Sequence, residues 1–365
     1  MSGLRIAVIG AGHLGRIHAK LLGQVDGAEL VAISDPVDEA RSAAEKQFSV
    51  STYADYRDVI DQVDAAVIAA PTDFHASIAT DLLKAGKHLL VEKPLATFGA
   101  DARRLANLAA AKRVTLQVGH VERFNPAFTG LDALASDVKY VEAVRASRFP
   151  GRCLDVGVVL DLMIHDLDLV LSFTDSAVKS ISASGLSVVS NHEDIAEARL
   201  EFEDGLVANL KASRVSPAPA RDMQLYGVNG FAQIDFGTPT LSVVQPCDAI
   251  VDRSFCLSDE TENPLGYADT LFSSKLRCKT TELEPRNAIL DELHDFVISI
   301  QTGISPAVDG HAGARAVETA DAILDSIAKR CWYHEVRASE VGPHAQPRER
   351  IESASRRIHQ DRRAA

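Results

Sequence analysis

The chain is 365 residues long, 46% hydrophobic and 24% charged, with a formal net charge of −13. That length and mix predict two domains with sizeable cores, and the acidity argues against nucleic acid or an anionic membrane surface as partner. No apolar run approaches the roughly 18 residues of a membrane span, and five scattered cysteines with no CxxC read as reduced thiols in a cytoplasmic protein without a zinc site.

Met1-Ser2-Gly3-Leu4-Arg5 runs straight into a strand at residues 4–9, leaving no room for a signal peptide. Gly10-Ala11-Gly12-His13-Leu14-Gly15 follows at once, and an amphipathic stretch to residue 22 reads as a helix. This is G-x-G-x-x-G in its strand–turn–helix setting. Gly10 makes the tight turn, Gly12 admits a pyrophosphate to the backbone, and Gly15 lets helix and strand pack closely. The helix N-terminus offers free N–H groups to that pyrophosphate. A ligand-free glycine turn is the other reading. The next strand, residues 29–34, ends at Asp35, an acid placed to bind adenosine ribose hydroxyls and to repel a 2′-phosphate. NAD is therefore expected over NADP, against the plainer reading of Asp35-Pro36 as a turn.

Helices are predicted over 37–48, 74–85 and 100–112, and buried strands over 65–70, 88–91 and 114–118. Alternation at this spacing means a doubly wound parallel sheet, a Rossmann-type α/β domain over residues 1–122. The strand ending Leu89-Leu90-Val91 meets Glu92-Lys93-Pro94. Pro94 cannot donate to a ladder, so Lys93 lies at the carboxyl edge of the sheet, where ligands bind. Glu92 is read as orienting Lys93 or the cofactor.

These residues resemble the Gfo/Idh/MocA oxidoreductases. The matching stretches are Gly10 to Gly15 with His18, Pro71-Thr72 with His75, and Ala85-Gly86-Lys87-His88 through Glu92-Lys93-Pro94-Leu95. The resemblance implies that Gly10, Gly12, His13, Leu14, Gly15, Asp35, Pro71, Thr72, His75, Glu92 and Lys93 surround the cofactor. It further implies that Lys93 lies beside the nicotinamide and substrate, and that Lys93-Pro94 is a cis peptide.

Gly119-His120-Val121-Glu122-Arg123-Phe124-Asn125-Pro126 should cross to a second domain, residues 123–335, over the same sheet edge. Arg123 and Asn125 are the polar groups expected at the substrate; a capped loop with Arg123 in a surface salt bridge is the alternative. Residues 139–149 alternate as a strand. In 155–171, Leu160, Met163, Ile164, Leu167 and Leu171 form an apolar helical face, and Asp161, His165 and Asp168 share the other. Asp161 can then hydrogen-bond His165, fix its tautomer and raise its basicity. The residues alone leave a solvated face and a catalytic base about even, and a metal site lacks a third ligand. The stretch looks like the family's D-x-x-x-H signature, which implies that His165 is the base, with Asp161 beside it; only Gly157 remains of the glycines that often precede it.

Strand-like runs at 178–189, 195–202, 206–212, 223–226, 231–236 and 240–244, with turns at Asp204-Gly205 and Asn229-Gly230, predict an α+β domain with an open, mainly antiparallel sheet. One face should pack on the 161–171 helix. The other suggests a homodimer or homotetramer, which the resemblance also implies. Helices at 286–301 and 312–329 should return to the first domain. Residues 341–365 carry six arginines against three acids and are expected to be a mobile tail.

The expected activity is NAD-dependent oxidation of a secondary hydroxyl. The runs at 119–126 and 155–161 look most like the UDP-N-acetylglucosamine 3-dehydrogenase branch of the family, whose product is the 3-keto nucleotide sugar. Arg123, Arg145, Arg148 and Arg152 are candidates to meet a diphosphate. Inositol, glucose and other free polyols are the alternative substrates, and a non-catalytic NAD-bound sensor is the alternative class.

Overall fold

The computed structural model describes residues 3–131, 138–149, 151, 156–228 and 230–329. The first sheet is built from β1 (Leu4–Ile9), β2 (Ala28–Ser34), β3 (Ser51–Tyr53), β4 (Ala65–Ile68), β5 (His88–Glu92) and β6 (Leu116–Gly119). Its order is β3-β2-β1-β4-β5-β6 and every pair is parallel. The chain order reverses at β1, so a crevice opens between the carboxyl ends of β1 and β4. Helices α1 (His13–Leu22), α2 (Asp38–Phe48), α3 (Thr72–Lys84) and α4 (Gly99–Lys112) cover its faces. Residues 65–68 and 89–91 are fully buried, as uniform apolar strands in a parallel sheet must be.

A short 3-10 turn, Val121–Phe124, and α5 (Pro126–Thr129) carry the crossover. The second sheet holds β7 (Val138–Ala146), β8 (Val178–Leu186), β9 (Ile195–Phe202), β10 (Val207–Ser213), β11 (Ala220–Gly227), β12 (Gly230–Asp235), β13 (Thr240–Pro246) and β14 (Leu276–Glu282). Its order is β14-β13-β12-β11-β7-β10-β9-β8. The fold class is that predicted, an α/β domain beside an open, mostly antiparallel sheet. One pair departs: β7 and β10 run parallel. The chain between them passes through α6 (Ile164–Leu171) and the β8–β9 hairpin, long enough for a parallel crossover.

Two strands escaped the sequence pattern. β3 is three residues long, and β14 is a mostly exposed edge strand reading Leu-Arg-Cys-Lys-Thr-Thr-Glu. Such an edge shows no period-2 apolar signal. Before β14 the chain makes an excursion through α7 (Asp248–Val251), α8 (Leu257–Glu260) and α9 (Ala268–Thr270). Then α10 (Ala288–Thr302) packs on α1, and α11 (Gly310–Ala328) packs on α4, α6 and β8. Arg152, Asn229 and the 341–365 tail lie outside the described residues. Among the described residues, no helix is long and apolar enough to cross a membrane.

Candidate active site

The dinucleotide crevice begins at the glycine turn. Gly10 has φ +100, and a Cβ there would come 2.6 Å from the Ala69 carbonyl oxygen. At Gly15 an added Cβ would lie 1.8 Å from the Gly10 oxygen, so α1 docks on the turn with no room for a side chain. Gly12 is exposed and a Cβ there would meet nothing within 4 Å. As N-cap of α1 it leaves the first-turn N–H groups without a side-chain cap. An open backbone at a helix N-terminus fits a pyrophosphate. His13 is exposed and Leu14 half-buried on that first turn.

Asp35, at the end of β2, stands beside the same turn. Its Oδ2 accepts from the Ala11 N–H at 2.7 Å and its Oδ1 from the Val37 N–H at 2.9 Å. The side chain remains partly exposed, and each oxygen keeps a lone pair for a ribose hydroxyl. Across the crevice, Pro71 precedes α3 and Thr72 begins it. His75 is buried, its Nδ1 and Nε2 each 2.8 Å from a carbonyl, those of Pro94 and Ala70. It therefore braces the ends of β4 and β5 from beneath.

The reacting edge is built by β5. The Lys93-Pro94 peptide is cis. Glu92 is buried, its Oε1 2.7 Å from His18 Nε2. Burial pushes this carboxyl up, but the His18 hydrogen bond and the charges of His18, Lys93 and His75 outweigh it and hold it below its usual range. Lys93 is mostly buried, and its Nζ donates to the Asp161 carbonyl at 2.7 Å and to Asp161 Oδ1 at 3.2 Å. Sheet and second domain thus converge on one ammonium.

One expectation about this convergence is corrected. Asp161 pairs with Lys93, and His165 Nδ1 is buried with no hydrogen-bond partner among the described residues. A π-helical turn, Val159–Met163, precedes α6, so the 3.6-residue period that would stack Asp161 under His165 does not hold there. Asp168, expected on the same face, is buried against the crossover. Gly157, read only as a remnant of a family pattern, has a local reason: a Cβ would lie 2.0 Å from Glu193 Oε1, and that oxygen accepts from the Val159 N–H at 3.2 Å.

His165 itself is held neutral. Burial pushes its imidazole well below the ordinary range, reinforced by Lys93, Arg145, His120 and Arg221. A neutral imidazole beside an ammonium at a strand end can accept a proton while the ammonium stabilises developing negative charge on oxygen.

Arg123 and Asn125, expected at the substrate, are engaged within the fold. Arg123 Nε donates to Asp168 Oδ2 at 2.6 Å and Nη2 to Asp168 Oδ1 at 3.1 Å, a two-pronged and mostly buried pair. Asn125 is the N-cap of α5, accepting from the Ala127 N–H at 3.0 Å, and its amide donates to Glu122 at 3.1 Å. Arg145, a candidate for a diphosphate, lies buried between Asp166 and Glu122. Arg148 is bonded to the Pro217 carbonyl at 3.1 Å. Sequence reasoning passed over His120, the first residue after β6, which is fully buried with its ring edge-on to His165, the centroids 6.5 Å apart. It also passed over Glu292 of α10, buried with both carboxyl oxygens unpartnered among the described residues. Each lies in a run that reads locally as ordinary loop or helix, so only a polar residue in an apolar register could have flagged Glu292.

Comparison with known proteins adds independent observations. A family model described as an oxidoreductase family with an NAD-binding Rossmann fold matches residues 4–120, and a GFO/IDH/MocA C-terminal domain model matches 137–233. A UDP-N-acetylglucosamine 3-dehydrogenase of Acidithiobacillus ferrooxidans is 32% identical over 318 residues, 87% of this chain and 95% of that one. A solved structure of that enzyme from the same organism superposes with a TM-score of 0.78 at 30% identity, covering 90% of this chain and 98% of the other. A myo-inositol 2-dehydrogenase of Thermotoga maritima is 28% identical, over 90% of this chain and 97% of its own. A levoglucosan dehydrogenase in complex with NADH shares the fold, with a TM-score of 0.75 at 19% identity over 90% of this chain and 98% of its own.

Proposed function

This chain belongs to the Gfo/Idh/MocA family of NAD-binding oxidoreductases, and from that premise we propose that it oxidises a secondary hydroxyl of UDP-N-acetylglucosamine to the 3-keto sugar. The observation that carries the reading is the 32% identity spread over 95% of an enzyme of that name. The site chemistry supports it. NAD⁺, held by the Gly10–Gly15 turn and Asp35, supplies the hydride acceptor. His165 takes the hydroxyl proton, and Lys93 stabilises the oxygen as it becomes a carbonyl. Asp161 holds the Lys93 ammonium by its carbonyl and its carboxylate, so its part is to aim the ammonium.

Free polyols are the second reading, favoured by the myo-inositol dehydrogenase relative and by the internal pairing of Arg123 and Arg145. Neither arginine can leave its carboxylate for a diphosphate without stranding a buried charge. The two readings separate in a thermal-shift screen with NAD⁺ throughout and UDP-N-acetylglucosamine, other UDP-sugars, myo-inositol and glucose added singly. A ligand that binds only the native state raises the midpoint by mass action. The expected result is a shift with UDP-N-acetylglucosamine, followed by NADH formation. A shift and turnover with inositol or a free sugar alone would overturn the nucleotide-sugar reading and leave Lys93 and His165 in their roles.

A further inference from the structure

His165 lacks the partner that its chemistry requires. A neutral imidazole that accepts a proton at Nε2 must carry its own proton at Nδ1, and that N–H needs an acceptor. Asp161 is committed to Lys93, and His165 Nδ1 is buried with nothing in hydrogen-bond reach among the described residues. A buried donor left so is destabilising.

His120 presents the complementary deficit. It is 0% exposed, and neither of its ring nitrogens has a partner among the described residues. Its backbone is pinned at the end of β6, with its N–H donating to the Val118 carbonyl at 2.7 Å and its carbonyl accepting from the Arg123 N–H at 3.1 Å. The ring is perpendicular to that of His165, with centroids 6.5 Å apart. A direct N–H···N bond would bring the two centroids closer than this, whereas one interposed water making two bonds of about 2.8 Å suits the separation. Polar groups on both sides and no access to bulk solvent are the setting in which proteins keep a buried water.

We propose that His120 is the positioning residue for His165, joined to it through one buried water that accepts from His165 Nδ1–H and donates to a His120 ring nitrogen. This relay takes the place that a neighbouring carboxylate on α6 would fill. His120 does not touch substrate, since its ring is enclosed; it acts by fixing the tautomer and orientation of the base. The charged groups around it are Asp168 on α6, Arg123 on the crossover, and Lys93 and Glu92 at the end of β5. Around His165 they are Lys93, Arg145 and Arg221. Burial pushes the His120 imidazole down, so it is neutral and keeps a lone pair for the water.

This inference rests on His165 being the base, so its test needs a readout that works without any substrate. The full-length protein is labelled with ¹⁵N-histidine, saturated with NAD⁺, and its ring nitrogens are followed through a pH titration, the His165 signals being assigned with His165→Asn. The expected result is a single Nδ1–H tautomer of His165 in the parent. In His120→Phe the tautomers mix and the titration midpoint moves by about half a unit or more, and in His120→Asn, which keeps a hydrogen-bonding group, the parent pattern returns. With the substrate found in the screen, kcat should fall about tenfold or more in His120→Phe with KM for NAD⁺ unchanged. An unaltered His165 tautomer and titration in both variants would overturn the inference. Failure of every nucleotide sugar to turn over would strike the proposed function and leave the spectroscopic result to stand. Should His120→Phe not fold, His120→Leu, which also removes the hydrogen-bonding group, decides by the same spectrum.

Discussion

Lys93 owes its position to a strand that stops. β5 delivers it to the sheet edge, Pro94 ends the ladder, and Asp161 grips the ammonium from the second domain. Lys93→Met keeps the stem and removes the charge, so turnover should fall about 10²-fold or more while NAD⁺ affinity by fluorescence titration holds. Near-parental turnover would remove Lys93 from the chemistry. His165 makes a second prediction at this scale. Burial and the nearby cations depress its imidazole, so the neutral, active form persists as pH falls through the ordinary histidine value of 6.5. The acid limb of kcat/KM should therefore lie below that value, and a limb at or above it would contradict the assignment.

At the scale of the element, the strand–turn–helix of β1 and α1 depends on contact closer than any side chain permits. Gly15→Ala places a methyl into the Gly10 carbonyl, which must push α1 off the turn. Overpacking of this kind costs about 1–3 kcal/mol, and because it opens the anion-binding turn, NAD⁺ affinity should fall with it. Isothermal titration of a folded Gly15→Ala protein with unchanged affinity would refute that coupling. The approach to α6 is held differently. Arg214 and Asp194 form a wholly buried pair at 2.7 Å, and Arg214 Nη1 also donates to the Val156 carbonyl ahead of the π-helical turn. Asp194→Ala breaks this pair and takes from the Val188, Val189 and Ser190 N–H groups the carboxylate they donate to, a loss of about 3–5 kcal/mol that denaturant unfolding would register.

Across the whole molecule, α10 and α11 tie the second domain back to the first. Gly99 N–H donates to Asp321 of α11, and Gly310 and Gly313 sit so close to Leu116 and Val118 of β6 that an added Cβ would come within 2.7 and 2.4 Å. α10 carries Glu292 into the layer beneath β5 and β6, where Gln117 Nε2 donates to its carbonyl at 3.0 Å. Burial, with Glu92, Asp295 and Asp168 nearby, pushes the Glu292 carboxyl well above its usual range. The native chain then keeps a proton that the unfolded chain has released, so this group lowers stability progressively as pH rises above the ordinary glutamate value. Glu292→Gln removes that slope. Its thermal midpoint should gain on the parent between about pH 5 and pH 8, and a constant difference would count against a protonated Glu292. The outer face of the second sheet carries Tyr140, Tyr226 and Phe231 in ring contact, with Val144 partly exposed. We expect self-association through this face; sedimentation as a monomer at micromolar concentration would exclude it.

Local pattern in the chain was enough for the Rossmann sheet, the glycine turn, the strand end at Lys93 and most strands of the second sheet. Each depends on periodicity or on glycine and proline at fixed offsets, which act within a dozen residues. The tertiary structure alone decided who partners whom. Asp161 and His165 share a helical phase on paper, but a π-helical turn and an ammonium 68 residues earlier take Asp161 away. Arg123 and Arg145 look available as a diphosphate clamp, but Asp168, Asp166 and Glu122 claim them once α6 lies against the crossover and β7. His120 gains significance only from the ring that packs beside it. Hydrogen bonds and ion pairs form between groups that meet in space, and buried charges take the nearest opposite charge at hand. A sequence pattern carries the period of an element but not the identity of its neighbours.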